Sequence, residues 1–178
     1  MQTEPVGRNL SALANEAKTN PAAFADLYNQ TIQPVYRYLR SHVQTVPEAE
    51  DLTSQTFIAA YENLPRYREK GHFSAWLFRI ARSKLIDHYR TSRSEASLEV
   101  IENLGSMDNS LIQFARRDEI TKLKALIQSL DENERDLIRL RYVADLPFSE
   151  IAEILGKRED AVKKSLYRLL AVLKSQME

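Results

Sequence analysis

At 178 residues and 43% hydrophobic content the chain can bury a substantial core, as one large domain or two small ones. With 4 glycines, 6 prolines and no cysteine it argues against a strand-and-turn architecture and excludes disulfides, a thiol nucleophile and thiolate-bound zinc. The formal net charge is zero, so any polyanion partner must be read from where the charges lie rather than from their sum. His42, His72 and His88 stand far apart in no metal-ligand spacing. The expectation is no metal, no cofactor and no catalytic constellation. Without an apolar run of spanning length or a signal-peptide core, a cytoplasmic protein with no membrane insertion of its own is expected.

Taken in order, residues 1–18 show weak periodicity and read as loosely helical at most. Asn20-Pro21 is a helix start, and Phe24, Leu27, Tyr28 and Ile32 then face one way. Pro34 is expected to kink or restart that helix, whose stripe continues through Val35, Tyr38 and Leu39. Pro47 opens the next helix, with Glu48, Glu50 and Asp51 in its first turn, where the helix dipole favours anions. Ala49, Leu52, Phe57, Ala60 and Leu64 point inward. Glu50, Asp51, Ser54, Gln55 and Glu62 form an acidic outer face, and Ile58 nearby hints at a partner.

A polar loop, 65–72, precedes a helix over 73–90. Phe73, Leu77, Ile80, Ala81 and Leu85 make its buried stripe. Trp76, Arg79, Arg82, Ser83, Lys84 and Arg90 surround it, and aromatics interleaved with cations suit a single-stranded nucleic acid. Trp76 reads equally as a stacking platform or a core ring, and Phe73 rather as core. Residues 91–110, rich in Ser, Asn and Glu, read as a linker offering little apolar surface, so the halves on either side are expected to fold separately.

Helix returns over 111–130 with Ile120, Leu123, Leu126, Ile127 and Leu130 on one face. Asp131 and Glu134 form a capping box for a helix over 134–142 that packs through Leu137, Ile138 and Leu140. Residues 146–173 read as a helix-turn-helix. Ala152 is small where two helices cross, Gly156 supplies a left-handed turn, and Val162 faces back into the crossing. Lys163, Lys164, Tyr167 and Arg168 lie on the outward face of the second helix, which suits a DNA major groove.

Charge follows the same division. Between Arg66 and Arg93 lie the cations 66, 68, 70, 79, 82, 84, 90 and 93 against acids 69 and 87. Between Lys157 and Lys174 lie 157, 158, 163, 164, 168 and 174 against 159 and 160. Two basic patches on a neutral chain imply two separate contacts with a polyanion. The fold expected is all-α: two small helical domains joined by a flexible linker, the second containing the helix-turn-helix.

Three stretches in this order, AEDLTSQTFIAAYENL (49–64), FSAWLFRIARSKLIDHYR (73–90) and SLDENERDLIRLRYVADLPFSEIAEILG (129–156), resemble the extracytoplasmic-function (ECF) class of bacterial RNA polymerase sigma factors. The resemblance implies a non-enzymatic protein that binds polymerase core and directs promoter-specific initiation. Residues 1–92 would bind core and recognise and melt the −10 element. Residues 93–117 would be the linker, and residues 118–178 would read the −35 element. It implies polymerase contacts at Glu50, Asp51, Ser54, Gln55 and Ile58, on the largest-subunit clamp helices, with the β-subunit flap as a further partner. It implies −10 contacts at Tyr67, Arg68, His72, Phe73, Trp76, Arg79, Arg82, Ser83 and Lys84, and −35 contacts at Arg158, Lys163, Lys164, Tyr167 and Arg168. An anti-sigma factor is a further implied partner.

The chain departs from the pattern at Glu159 and Asp160, where relatives often carry small or hydroxyl residues, and at Lys157, where an apolar residue is usual. The alternative reading is a stand-alone helix-turn-helix regulator with a helical dimerisation or ligand domain, which would have no use for the basic aromatic helix at 73–90.

Overall fold

The structure, a computed structural model, describes residues 9–68, 72–95 and 111–177, and the side chains of these apart from 92–95 and 111–118. The described residues form eight α-helices and no strand. Helix α1 (Leu10–Ala17) starts at Asn9, whose side chain accepts from the Ser11 amide. Helix α2 (Pro21–Arg40) starts as expected at Asn20, which accepts from Ala22. It runs unbroken through Pro34, because packing on both sides holds the helix together across the one missing amide.

Helix α3 (Val46–Asn63) opens on a capping box of Thr45 and Glu48, one residue before the proline at which its start was expected. A 3₁₀ turn at Leu64–Arg66 leads to the loop before helix α4 (Phe73–Glu95), which is longer than expected. The hydroxyls of Thr31, Thr53 and Thr56 are buried in this bundle. Each donates to the carbonyl four residues back, of Leu27, Ala49 and Leu52 respectively, so none is left unsatisfied. Helices α1 to α4 pack on one another around Leu27, Val35, Leu39, Leu52, Leu77 and Ala81.

The second half comprises α5 (Leu111–Ser129), α6 (Glu132–Ile138), α7 (Phe148–Leu155) and α8 (Glu159–Met177). The α5 stripe is covered only at its C-terminal end. Leu126, Ile127 and Leu130 are half-buried, while Ile120 and Leu123 are exposed. The Asp131–Glu134 capping box forms as expected. Helix α6 is shorter than the 134–142 expected, because residues 139–143 widen into a π turn closed by the Ala144 amide on the Arg139 carbonyl.

The helix-turn-helix crossing matches its sequence signature. Ala152 and Val162 are buried against each other's helices, and Gly156 adopts φ 63°, ψ 33° at the end of α7. Its neighbour Lys157 returns an amide to the Ala152 carbonyl.

Contrary to the expectation of little apolar contact, the halves share one continuous core. Helix α7 packs on α4, and the π turn packs on α2. Leu77, Phe78, Ala144 and Leu146, all buried, line one cavity beside this joint. The tie comes from the helices rather than from the linker, on whose composition the expectation rested; residues 96–110 themselves lie outside the described residues.

A Cβ at Gly156 would meet nothing within 4 Å. Gly156→Ala should therefore suffer only the left-handed backbone penalty, about 1 kcal/mol and at most about 2. Gly156→Asn should cost less, since asparagine tolerates that conformation. Urea unfolding of the three proteins checks the order; an alanine variant as stable as the parent would mean the turn relaxes freely.

Candidate functional site

Three exposed faces carry the residues singled out from the sequence. On α3, Glu50, Asp51, Ser54, Gln55 and Ile58 are all exposed, Ile58 at 59%. Gln55 donates to Asp51 at 2.7 Å and Ser54 to the Glu50 carbonyl at 2.9 Å, so the face is a pre-ordered polar surface with one apolar residue proud of it. Tyr61, also exposed, lengthens this apolar patch by a further helical turn. It was not among the sequence candidates, although its i+3 spacing from Ile58 was the available signal.

On α8, Lys164, Tyr167 and Arg168 are exposed, Tyr167 at 61%, and so is Arg158 just before it. Lys163 is half-buried, 2.7 Å from Glu159 and over the Phe148 ring. The unexpected carboxylate at Glu159 thus forms an i,i+4 pair within the helix, in the favourable order of acid before base. It raises the Lys163 ammonium pKa, first by hydrogen bonding and then by its charge. Glu159 therefore tempers one cation and leaves Arg158, Lys164 and Arg168 facing outward.

On α4 and the loop before it the nine candidates separate. Arg68, His72, Arg79 and Ser83 are exposed, and Arg82, Lys84 and Trp76 are half-buried. Tyr67 and Phe73 are buried, at 5% and 2% exposure. The burial of Phe73 agrees with its reading as core, whereas Tyr67, expected on the exposed −10 surface, is buried as well. Tyr67 packs its ring against Phe73 and Trp76 at centroid distances of 5.5 and 5.1 Å, and its hydroxyl meets Ser11 of α1. Tyr67 is thereby tied to α1 and to the start of α4, so in this conformation these two rings belong to the bundle and present no face to a base. Trp76, at the edge of the cluster, is the ring that retains an accessible side.

Two acids not among the sequence candidates, Asp136 and Glu153, meet α4 and the residues around it. The Asp136 carboxylate of α6 is buried. It accepts from the Tyr38 hydroxyl at 2.6 Å and pairs with Arg82 at 3.0 Å, and His42 Nε2 lies 3.5 Å away. Burial alone would raise its pKa, but the His42 and Tyr38 hydrogen bonds and the Arg82 charge together hold it below the ordinary range. Tyr38 is pushed far up, by burial and then by Asp136.

Arg139 lies 3.4 Å from His42 Nδ1 and can only donate, a contact that matches the tautomer with its proton on Nε2. Burial holds His42 below its usual value against the pull of Asp136, and the Arg139 charge acts in the same direction. At the other end of the joint, Glu153 of α7 accepts from the His72 amide at 3.1 Å and meets His72 Nδ1 at 2.6 Å. Its backbone carbonyl receives both Arg79 donors, at 3.2 and 2.6 Å. The legible trace of this cluster was a carboxylate, Asp136, beside Leu137 and one turn before Leu140 on an apolar helix face.

The described residues, all helix and connecting turns, with a helix-turn-helix and a basic, aromatic-edged helix, have the form of a nucleic-acid-binding regulator. Residues 27–95 match the family model for sigma-70 region 2, and residues 120–173 the model for sigma-70 region 4. The chain is 31% identical over 180 residues to the ECF RNA polymerase sigma factor SigD of Mycobacterium tuberculosis, covering 96% of this chain and 85% of that protein. It is 32% identical over 158 residues to the ECF sigma factor BldN of Streptomyces coelicolor, covering 85% of this chain and 59% of that longer protein. Among solved structures, CnrH in complex with the cytosolic domain of CnrY superposes with a TM-score of 0.68 at 25% identity, over 94% of this chain and 96% of that one. The chain belongs to the ECF RNA polymerase sigma factors. The match across both halves sets aside a stand-alone regulator with an unrelated first domain.

Burial separates two kinds of variant. Phe73→Ala should cost about 3–5 kcal/mol as a core ring, whereas Lys164→Ala and Arg168→Ala should each change stability by no more than about 0.5 kcal/mol. Urea titrations distinguish these, and equal effects would contradict the placement of Phe73.

A further expectation concerns pH. A folded His42 whose pKa lies below the unfolded value binds its proton less readily than the unfolded chain, so stability falls as pH drops below about 6.5. Asp136 and Glu132 act in the same direction only lower, in the carboxylate range. Glu150, raised by burial, opposes them. The loss of stability between about pH 7 and 5.5 should be smaller in His42→Gln than in the parent. Parallel pH profiles would remove His42 from the effect.

Proposed function

We propose that this chain is the promoter-reading subunit of a bacterial RNA polymerase holoenzyme, with three surfaces assigned to three contacts. The α3 face, Glu50, Asp51, Ser54, Gln55 and Ile58, docks on the clamp helices of the largest subunit. Arg68, His72, Trp76, Arg79, Arg82, Ser83 and Lys84 engage the −10 element. Trp76 offers the stacking face, and Tyr67 and Phe73 support it from beneath. Arg158, Lys163, Lys164, Tyr167 and Arg168 read or hold the −35 duplex. Residues 1–92 and 118–178 are the two working units, and 93–117 connects them. The β-subunit flap and an anti-sigma factor complete the partners, and the protein works in the cytoplasm.

One observation carries the reading: α8 stands outward on a close Ala152–Gly156–Val162 crossing, with Lys164, Tyr167 and Arg168 exposed. A helix so mounted can enter a major groove about 12 Å wide. The chain needs no catalytic group of its own. Unstacking a base costs a few kcal/mol, which stacking and phosphate contacts offset, while bond formation stays with the polymerase.

Lys164→Ala or Arg168→Ala should weaken −35 duplex binding by about 1–3 kcal/mol for a base contact, or lower the salt slope by about one for a phosphate contact. Trp76→Ala should leave that affinity intact but reduce permanganate-reactive thymines at −10, and a pre-melted bubble template should restore its activity. Asp51→Arg should weaken core binding at unchanged melting temperature. A bubble that rescues the Lys164 variant but not the Trp76 variant would overturn the division of labour.

A further inference from the structure

An acid on a DNA-reading helix is a liability unless the DNA answers it. Glu159 stands in the first turn of α8, among the exposed cations Lys157, Arg158 and Lys164. Near a duplex those cations meet phosphate, whereas a carboxylate is repelled by it at every sequence. In the groove a carboxylate is favourable only where a base offers it a hydrogen-bond donor, and it penalises every other site. Such a residue selects sequence rather than raising affinity.

The Glu159 side chain is also held in place. It lies 2.7 Å from the Lys163 ammonium, one helical turn on. That ammonium sits 5.6 Å from the centre of the Phe148 ring at the start of α7, and Tyr167 lies 6.1 Å from the same ring. Lys163 is thus attracted on one side by a charge and on the other by an aromatic face. It pairs with Glu159 rather than with Asp160, which is exposed beside it. The two side chains keep 44% and 40% of their surface exposed, so α8 presents an acceptor and a donor side by side.

A C·G base pair carries the complement of this arrangement. In the major groove the cytosine amino group is a donor, and beside it guanine O6 and N7 are acceptors. Adenine also offers an amino donor, but its N7 acceptor adjoins that group and would face the second carboxylate oxygen. The same edge of cytosine is a C–H, which carries no lone pair. Guanine and thymine present only acceptors there.

We propose that the Glu159–Lys163 pair determines the sequence specificity of α8 by reading one C·G pair: Glu159 accepts from the cytosine amino group, and Lys163 donates to the guanine acceptors. This rests on the reading of α8 as the −35 helix. The surrounding cations, Arg158, Lys164 and Arg168, then hold phosphate and offset the repulsion that the carboxylate brings.

The test uses the full chain assembled with polymerase core. The probe is a duplex library randomised across the −35 element and carrying a pre-melted −10 bubble, with bound and unbound molecules sequenced. The parent should favour C·G over A·T in one column by at least about tenfold. Glu159→Gln should turn that column to A·T, because a glutamine amide accepts from adenine N6 and donates to N7. Lys163→Met keeps the stem but loses the ammonium, and should weaken the preference in the same column. Asp160→Asn loses the same charge as Glu159→Gln and should leave the column as it is. Circular dichroism of each variant checks that the helices persist.

The proposal is overturned if the parent shows no C·G column, or if the column is the same in Glu159→Gln or in Lys163→Met. It is also overturned if Asp160→Asn shifts the column as far, since a loss of charge would then explain the change. Binding of the chain to core is measured alongside by co-elution. Failure there would strike the sigma-factor reading. The library is then put to the full chain alone, where the fate of the column in the same variants still decides what the pair reads.

Discussion

A buried carboxylate is costly unless its charge and lone pairs are met, by several kilocalories per mole even after relaxation. Asp136 is such a group, and among the described residues it is met by partners far earlier in the chain, Tyr38, His42 and Arg82. The relative placement of the halves depends on that requirement. The apolar cluster that holds Leu77, Phe78, Ala144 and Leu146 is non-directional and would tolerate sliding. The hydrogen bond from Tyr38 and the ion pair with Arg82 fix one register, because a shift of about an ångström or two would leave a charge buried and unpaired. Buried ion pairs contribute little net stability compared with apolar replacements, and their value here lies in such specification.

Helix α4 shows how one element serves several demands. Its Leu77, Ala81 and Leu85 stripe is core, its Phe73 end pins the preceding loop, and its remaining face carries Arg79, Arg82, Ser83 and Lys84. The same helix is therefore rigid where it supports and polar where it would read. Helix α7 is likewise two-sided: Ala152 and Ile151 face inward, while Glu153 reaches across to α4. A helix of 8 residues has room for both only because glycine ends it abruptly at position 156.

The departures from the family pattern become local matters. Glu159 binds Lys163 within α8 and occupies the first turn, where the dipole favours a carboxylate. Lys157 follows the left-handed glycine, and its amide closes the turn on Ala152 whatever its side chain. Neither residue disturbs the crossing that presents the helix.

Much of the molecule is determined by local sequence. Asn20 with Pro21, Asp131 with Glu134, and Gly156 each act within a single helical turn, and helical periodicity sorts buried from exposed positions on α2, α3 and α8. The outward placement of Asp51, Gln55, Ile58, Lys164 and Arg168 followed from that periodicity alone. The tertiary structure decided what periodicity cannot encode. Tyr67 lies in a loop without a period, and only the packing of α1 and Phe73 around it buries it. Pro34 breaks an isolated helix, yet here neighbouring helices hold α2 together through it. The partnership of Arg82 with Asp136 joins residues whose sequence neighbourhoods each look complete. One appears as a cation on a basic face, the other as an acid in a short helix. Only when α6 is laid on α2 and α4 does the desolvation of one charge require the other, and that long-range requirement is not written in any window of the sequence.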